Sequence, residues 1–136
     1  MTVLDESQPE RVIERMRELA RKGEALDLAL IDIMMFVKDG FTLAREIRSD
    51  ASLKGIKLIA FSAIAVKGVA AEAKEAGFDA YLPKPIFKGE LISVLCAVLG
   101  DKRDEGQIVT RHIADELACK GLRVLVAEDN PVNQKL

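Results

Sequence analysis

Residues 26–33 read Leu-Asp-Leu-Ala-Leu-Ile-Asp-Ile (LDLALIDI). Apolar residues fall on both parities of the run, so an extended backbone here has two faces that avoid water. A central strand of a parallel sheet, covered by helices on both sides, has this pattern. Toward the amino terminus, Met1–Asp5 (MTVLD) is a short strand, and Ser7 with Glu10 has the S-x-x-E form of a capping box. Val12, Ile13, Met16, Leu19 and Ala20 follow at helical spacing until Gly23 ends the run. Toward the carboxyl terminus, a helix over Phe41–Arg48 buries Phe41, Ala44 and Ile47. Lys57–Ser62 (KLIAFS) is a strand, Val66–Ala76 a helix closed by Gly77, and Ala80–Leu82 a strand. Lys88–Leu99 is a helix with Leu91, Ile92, Leu95, Val98 and Leu99 on one face and Gly100 at its end. This alternation predicts an α/β fold, a parallel sheet with helices on both faces.

The pattern then breaks. Asp101–Gly106 (DKRDEG) is a polar linker, and Ile108–Lys120 has the pattern of a short helix. Leu122–Ala127 (LRVLVA) is a second fully apolar strand, ending in Glu128, Asp129 and Asn130, with Pro131 at a first helical position. The sequence stops at Leu136, barely one turn later, as a fragment would. Three segments result: a domain over residues 1–100, a linker over 101–121, and a strand with the start of a helix over 122–136.

The chain has 136 residues, the size of one domain, and a net charge of −2 with acids and bases interspersed. Such a balance gives no nucleic-acid or membrane footprint, and no apolar run nears the ~20 residues of a membrane helix. Cys96 and Cys119 stand alone in helical patterns without metal-ligand spacing, which reads as reduced thiols in a cytoplasmic protein. His112, the sole histidine, sits in TRHIADEL and reads as a solvated linker residue.

In open parallel sheets, ligands bind beyond the carboxyl ends of the strands. To that edge the strands deliver Asp32, Ser62, Lys84, and Glu128 with Asp129. At ~5 Å spacing and an effective dielectric near 20, each pair of carboxylates repels by roughly 3 kcal/mol. One lysine cannot balance three anions, so the cluster calls for a divalent cation, and oxygen ligands suit Mg²⁺. A metal beside a free carboxylate, with a lysine to hold a phosphoryl oxygen, is suited to phosphoryl transfer onto that carboxylate. A magnesium-dependent phosphohydrolase of related topology would need a second carboxylate two residues after the nucleophile, where this chain has Met34.

LALIDIMMFVKDG (28–40), LIAFSA (58–63) and DAYLPKPI (79–86) together resemble the receiver domain of response regulators and hybrid histidine kinases. The resemblance covers about Met1–Leu99 and lacks only the family's first strand and first helix. LRVLVAEDNPVNQKL (122–136) resembles the opening of a receiver, and Ile108–Leu117 a linker between tandem receivers of a hybrid kinase. The resemblance implies a flavodoxin-like, doubly wound, five-stranded parallel sheet in the order 2-1-3-4-5. It implies Asp32 as phosphoacceptor. It also implies Asp32, Asp129, Glu128 (through water) and the Met34 backbone carbonyl as Mg²⁺ ligands. Lys84, Ser62 and Ala63 would bind the phosphoryl group, Ser62 and Tyr81 would form the switch, and Lys84–Pro85 would be a cis peptide. The implied partner is a histidine kinase or phosphotransfer domain carrying a phosphohistidine. The implied role is a signalling switch rather than an enzyme, and the alternative is a pseudo-receiver that binds a partner without phosphorylation. Phe36 departs from the family, which usually has proline there, so a reshaped loop is expected after Asp32.

The family's first strand lies between its second and third. Residues 1–99 alone would therefore leave a slot in mid-sheet, and each unsatisfied buried backbone group costs roughly 1–3 kcal/mol. Residues 122–129 have the length and composition to fill it, and the linker spans on the order of 25 Å as a flexible coil. The expectation is that the C-terminal segment supplies the first strand, in its own chain or swapped into a second. With the first helix nearly absent, the apolar face it would cover is expected to drive self-association, most simply as a dimer.

Overall fold

The computed structural model describes residues 2–24, 26–36, 38–63 and 68–100, and the backbone of 123–127. The linker over 101–121, with its expected helix, lies outside the described residues, as do Cys119 and His112.

Five strands and four α-helices are described: β1 (Thr2–Glu6), α1 (Val12–Arg21), β2 (Leu28–Asp32), α2 (Gly40–Ser49), β3 (Lys57–Ser62), α3 (Val69–Ala76), β4 (Ala80–Pro83), α4 (Lys88–Leu99) and β5 (Arg123–Ala127). The strands form one sheet in the order β1-β5-β2-β3-β4, and every neighbouring pair is parallel. β5 lies between β1 and β2, with Thr2 to Glu6 opposite Arg123 to Ala127 on one side. On its other side, Leu28 to Ile31 lie opposite Val124 to Ala127.

The two parities of the strands bury against different helices. Ala29, Ile31, Leu58, Ala60 and Tyr81 pack with Val12 and Met16 of α1, Leu43, Ala44 and Ile47 of α2, and Ala73 and Ala76 of α3. Leu28, Leu30, Ile59, Phe61, Ala80 and Leu82 pack with Val94, Leu95 and Val98 of α4. All five residues of β2 are buried, the apolar Leu28–Ile31 as their unbroken run requires and Asp32 with them.

Two local expectations are corrected. Ser7 and Glu10 make no capping box. Pro9–Arg11 form a 3₁₀ turn without a side-chain cap, and the Gln8 N–H donates to Glu6 Oε1 at 3.0 Å. Pro9 has no N–H to offer a cap, and its ring is buried. In α4 the buried residues are Val94, Leu95 and Val98, while Ile92 is 45% exposed. Leu91, Leu95, Val98 and Leu99 of the expected face do pack toward the sheet, and Val94 takes the place of Ile92 on it.

At the amino ends of β3 and β4, Arg48 serves as a clamp. Its guanidinium donates to the carbonyls of Gly77 (2.8 Å), Lys54 (2.8 Å) and Ile56 (2.7 Å) and to Asp79 Oδ2 (2.8 Å). Asp79 Oδ2 also accepts from the Leu58 N–H at 2.9 Å. Gly77 closes α3 at a φ of 97°, and a Cβ there would come within 2.7 Å of Arg48 Cγ. Position 77 therefore excludes side chains on two grounds.

α1 is tied to the end of α2 by Arg17 Nε, which donates to Asp50 Oδ2 at 2.6 Å. The hydroxyl and N–H of Ser52, together with Arg17, hold the Asp50 carboxyl down to about 2, against an ordinary value of 3.8. A depressed carboxyl stabilises the fold at pH above its unfolded value, and that contribution is lost as pH falls through the folded one. Asp50→Asn is therefore expected to lower stability by a constant amount at neutral pH. The deficit should narrow from about pH 4 toward pH 2 in urea titrations, and a pH-independent deficit would refute the carboxylate's role.

Candidate functional site

β2, β3 and β4 end at one rim, where the loops that follow them bring a carboxylate and an ammonium together. Asp32, the last residue of β2, is 4% exposed. A carboxylate so buried needs donors, and both of its oxygens have one. The Met34 N–H donates to Oδ1 at 2.9 Å, and Lys84 Nζ donates to Oδ2 at 2.9 Å. Lys84 follows β4 directly, its N–H donates to the Ser62 carbonyl at 2.7 Å, and the Lys84–Pro85 peptide is cis. Between the two charged residues, Phe61 stands opposite Asp32 on the neighbouring strand. Lys84 Nζ lies over its ring, 4.8 Å from the centroid.

The loop after β2 is fixed by the start of α2. Asp39 is its N-cap, accepting from the N–H groups of Phe41 (2.9 Å) and Thr42 (3.1 Å) and from the Thr42 hydroxyl. Burial pushes the Asp39 carboxyl up, but these hydrogen bonds and nearby Arg45 outweigh it and hold the group below its ordinary value. The Gly40 N–H donates to the Ile33 carbonyl at 3.1 Å. A Cβ at position 40 would meet the Asp32 carbonyl oxygen at 2.5 Å and Ile33 Cα at 2.8 Å. Only glycine lets α2 begin this close to the strand carrying Asp32. Within the loop, Met35 is buried, Met34 is 58% exposed and Phe36 is 99% exposed.

The other residues singled out by sequence divide by location. Ser62 ends β3 and is 2% exposed, Ala63 follows it at the surface, and Tyr81 is buried on β4. Ser62 lies opposite Pro83, and Tyr81 opposite Ala60, so Ser62 and Tyr81 share the sheet face that carries α1 to α3. Asp32 and Phe61 belong to the α4 face. Burial raises the Tyr81 phenol above its ordinary pKa. Glu128 and Asp129 lie outside the described residues, where β5 ends at Ala127 opposite Ile31. Among the described residues no group of three His, Cys, Asp or Glu side chains could hold a metal ion. Nor, among them, is any helix long and apolar enough to cross a membrane.

A profile of the response regulator receiver domain matches residues 5–96. The chain belongs to this receiver family. As a receiver it is a domain of two-component signal transduction. It is 33% identical over 84 residues to the polar-differentiation response regulator DivK of Brucella ovis, a match spanning 62% of this chain and 68% of DivK. The receiver domain of a sensor histidine kinase from Pseudomonas aeruginosa PAO1, solved with a magnesium ion in its active-site cleft, is 31% identical. It superposes with a TM-score of 0.51 over 73% of this chain and 96% of that one. A response regulator structure from Chloroflexus aurantiacus shares the fold, with a TM-score of 0.55, 21% identity, and coverage of 72% and 96%.

Sequence reasoning overlooked Phe61, Asp39 and Gly40 as parts of this rim. The Asp-Gly pair ahead of a helical run was a readable signal for the latter two, whereas Phe61 looked like any strand-core residue. The ion pair gives a direct expectation. Lys84→Met in metal-free buffer leaves Asp32 with one donor and should cost on the order of 1–3 kcal/mol in urea unfolding. Adding Asp32→Asn should recover part of the loss, and strictly additive effects would mean that the two side chains do not interact.

Proposed function

We propose that this receiver accepts a phosphoryl group from a phosphohistidine onto Asp32. The observation that carries the reading is the buried Asp32 carboxylate meeting the Lys84 ammonium at 2.9 Å on the sheet's carboxyl rim. In the transfer the P–N bond of the donor breaks and a P–O bond to an Asp32 oxygen forms. Lys84 is then placed to move from the carboxylate to a phosphoryl oxygen, with Ser62 and the main chain at Ala63 as further partners of that group.

Mg²⁺ fits this donor set, which offers hard oxygen ligands: Asp32, the Met34 carbonyl, Asp129 and, through water, Glu128. When bound, the ion neutralises charge on the transferring group. The register favours a contribution from the C-terminal segment. β5 reaches Ala127 beside Ile31, one position short of Asp32, and Glu128 and Asp129 come next in the sequence. In this reading β5 is the first strand of the receiver order 2-1-3-4-5, residues 1–100 supply the remainder, and 101–121 link the two.

Phosphorylation would draw the Ser62 hydroxyl toward the new charge and let Tyr81 follow, altering affinity for a partner at the outer face of β4 and α3. The donor is a histidine kinase or phosphotransfer domain, the setting a cytoplasmic hybrid kinase with tandem receivers. The output is a change of binding, with no small-molecule product and no nucleic-acid contact. Self-association as a dimer belongs to the same reading, and sedimentation showing only monomer at high concentration would remove it.

Incubation with acetyl phosphate and Mg²⁺ tests the site. The parent chain should take up label, Asp32→Asn none, and Asp129→Ala should bind Mg²⁺ at least about tenfold more weakly. No label on the parent would favour the phosphorylation-independent pseudo-receiver. Equal label on parent and Asp32→Asn would move the acceptor elsewhere.

A further inference from the structure

We propose that Phe61 is the positioning residue for Lys84, its ring face holding the ammonium over β3 so that Nζ meets Asp32. The inference rests on the reading of Asp32 as phosphoacceptor and adds to it a residue that touches none of the reacting atoms.

The topology poses the problem that Phe61 answers. Asp32 ends β2 and Lys84 follows β4, with β3 between them. At about 4.8 Å per strand spacing, the lysine must reach across the middle strand to its neighbour. Its stem is flexible and its ammonium strongly hydrated, so an unsupported Lys84 would spend its time directed into water. The residue beneath the crossing is the one registered with Asp32 on β3, and that residue is Phe61.

The ring is a fixed platform. Phe61 is fully buried among Leu30, Ile59, Leu82, Val94 and Leu95, so its orientation is set by packing. Nζ stands 4.8 Å from the centroid, inside the ~6 Å range over which a ring quadrupole attracts a cation. A leucine or valine would fill a buried strand position equally well but would offer no negative face. The aromatic ring therefore contributes what its burial alone does not. As Nζ shifts from a carboxylate oxygen to a phosphoryl oxygen, the same face continues to support it.

The test varies the ring's electrostatics while keeping its shape. Phenylalanine at position 61 of the full chain is replaced by mono-, di- and trifluorinated analogues, and labelling by acetyl phosphate is timed at saturating Mg²⁺. The rate should fall stepwise with fluorine number, by about fivefold at three fluorines. In a Lys84→Met background, residual labelling should not respond to the series. A flat series in the parent, or an equal decline in the Lys84→Met background, overturns the proposal. The Lys84 ε-methylene proton shifts give a readout independent of phosphorylation. They should lie upfield in the parent, from the ring current, and move progressively as fluorination loosens the contact. If the parent takes no label, the phosphoacceptor reading fails on its own and these shifts decide the Phe61 contact. Unshifted ε-methylene protons in the parent would end it.

Discussion

The fold depends on the pairing of backbone groups along both edges of β5. Among the described residues β1 pairs with no other strand, so its backbone joins the sheet through residues 123–127. β2 pairs with β5 on one side and β3 on the other. If β5 were withdrawn, two parallel edges would face a gap one strand wide in the sheet interior. Buried amide and carbonyl groups without partners are among the costliest features a protein can carry. A segment far along the chain thus completes the middle of a sheet begun at residue 2.

The same arrangement determines how the rim is built. A strand buried on both faces can end in a buried carboxylate only if the next loop supplies donors, and the β2 loop does so with the Met34 N–H. Gly40 allows that loop to close tightly by admitting α2 against the backbone of Asp32. From the far side of β3, Lys84 supplies the balancing charge. The donors that make Asp32 tolerable inside the protein also fix the position of its oxygens at the rim. The Arg48 clamp lies at the opposite end of the strands, where it ties α2 and α3 to β3 without touching the rim.

Much of this was readable from residue order. The unbroken apolar run at 28–31 marked a doubly covered strand, and the positions of Asp32, Ser62 and Lys84 at strand ends marked the rim. Hydrophobic periodicity missed features that depend on three-dimensional neighbours. Ile92 and Val94 are both apolar and two positions apart, and only the packing of α4 on Leu28, Ile59 and Leu82 decides which is buried. Ser7 and Glu10 had the right spacing for a cap, but Pro9 turned the chain into a 3₁₀ turn first. Arg48 looked like one more surface cation on an amphipathic helix, although its four acceptors come from residues 54 to 79. Phe61 gave no local sign of a role because its partner lies 23 positions later, after another strand.

The central claim, that β5 is an interior strand, is tested most directly by native-state hydrogen exchange resolved at single amides. The account predicts that the amides of Val124, Leu125 and Val126 exchange as slowly as those of Ala29 to Ile31, within about tenfold, because both open only when the sheet does. Exchange at free-chain rates over 124–126, with 29–31 still protected, would contradict it.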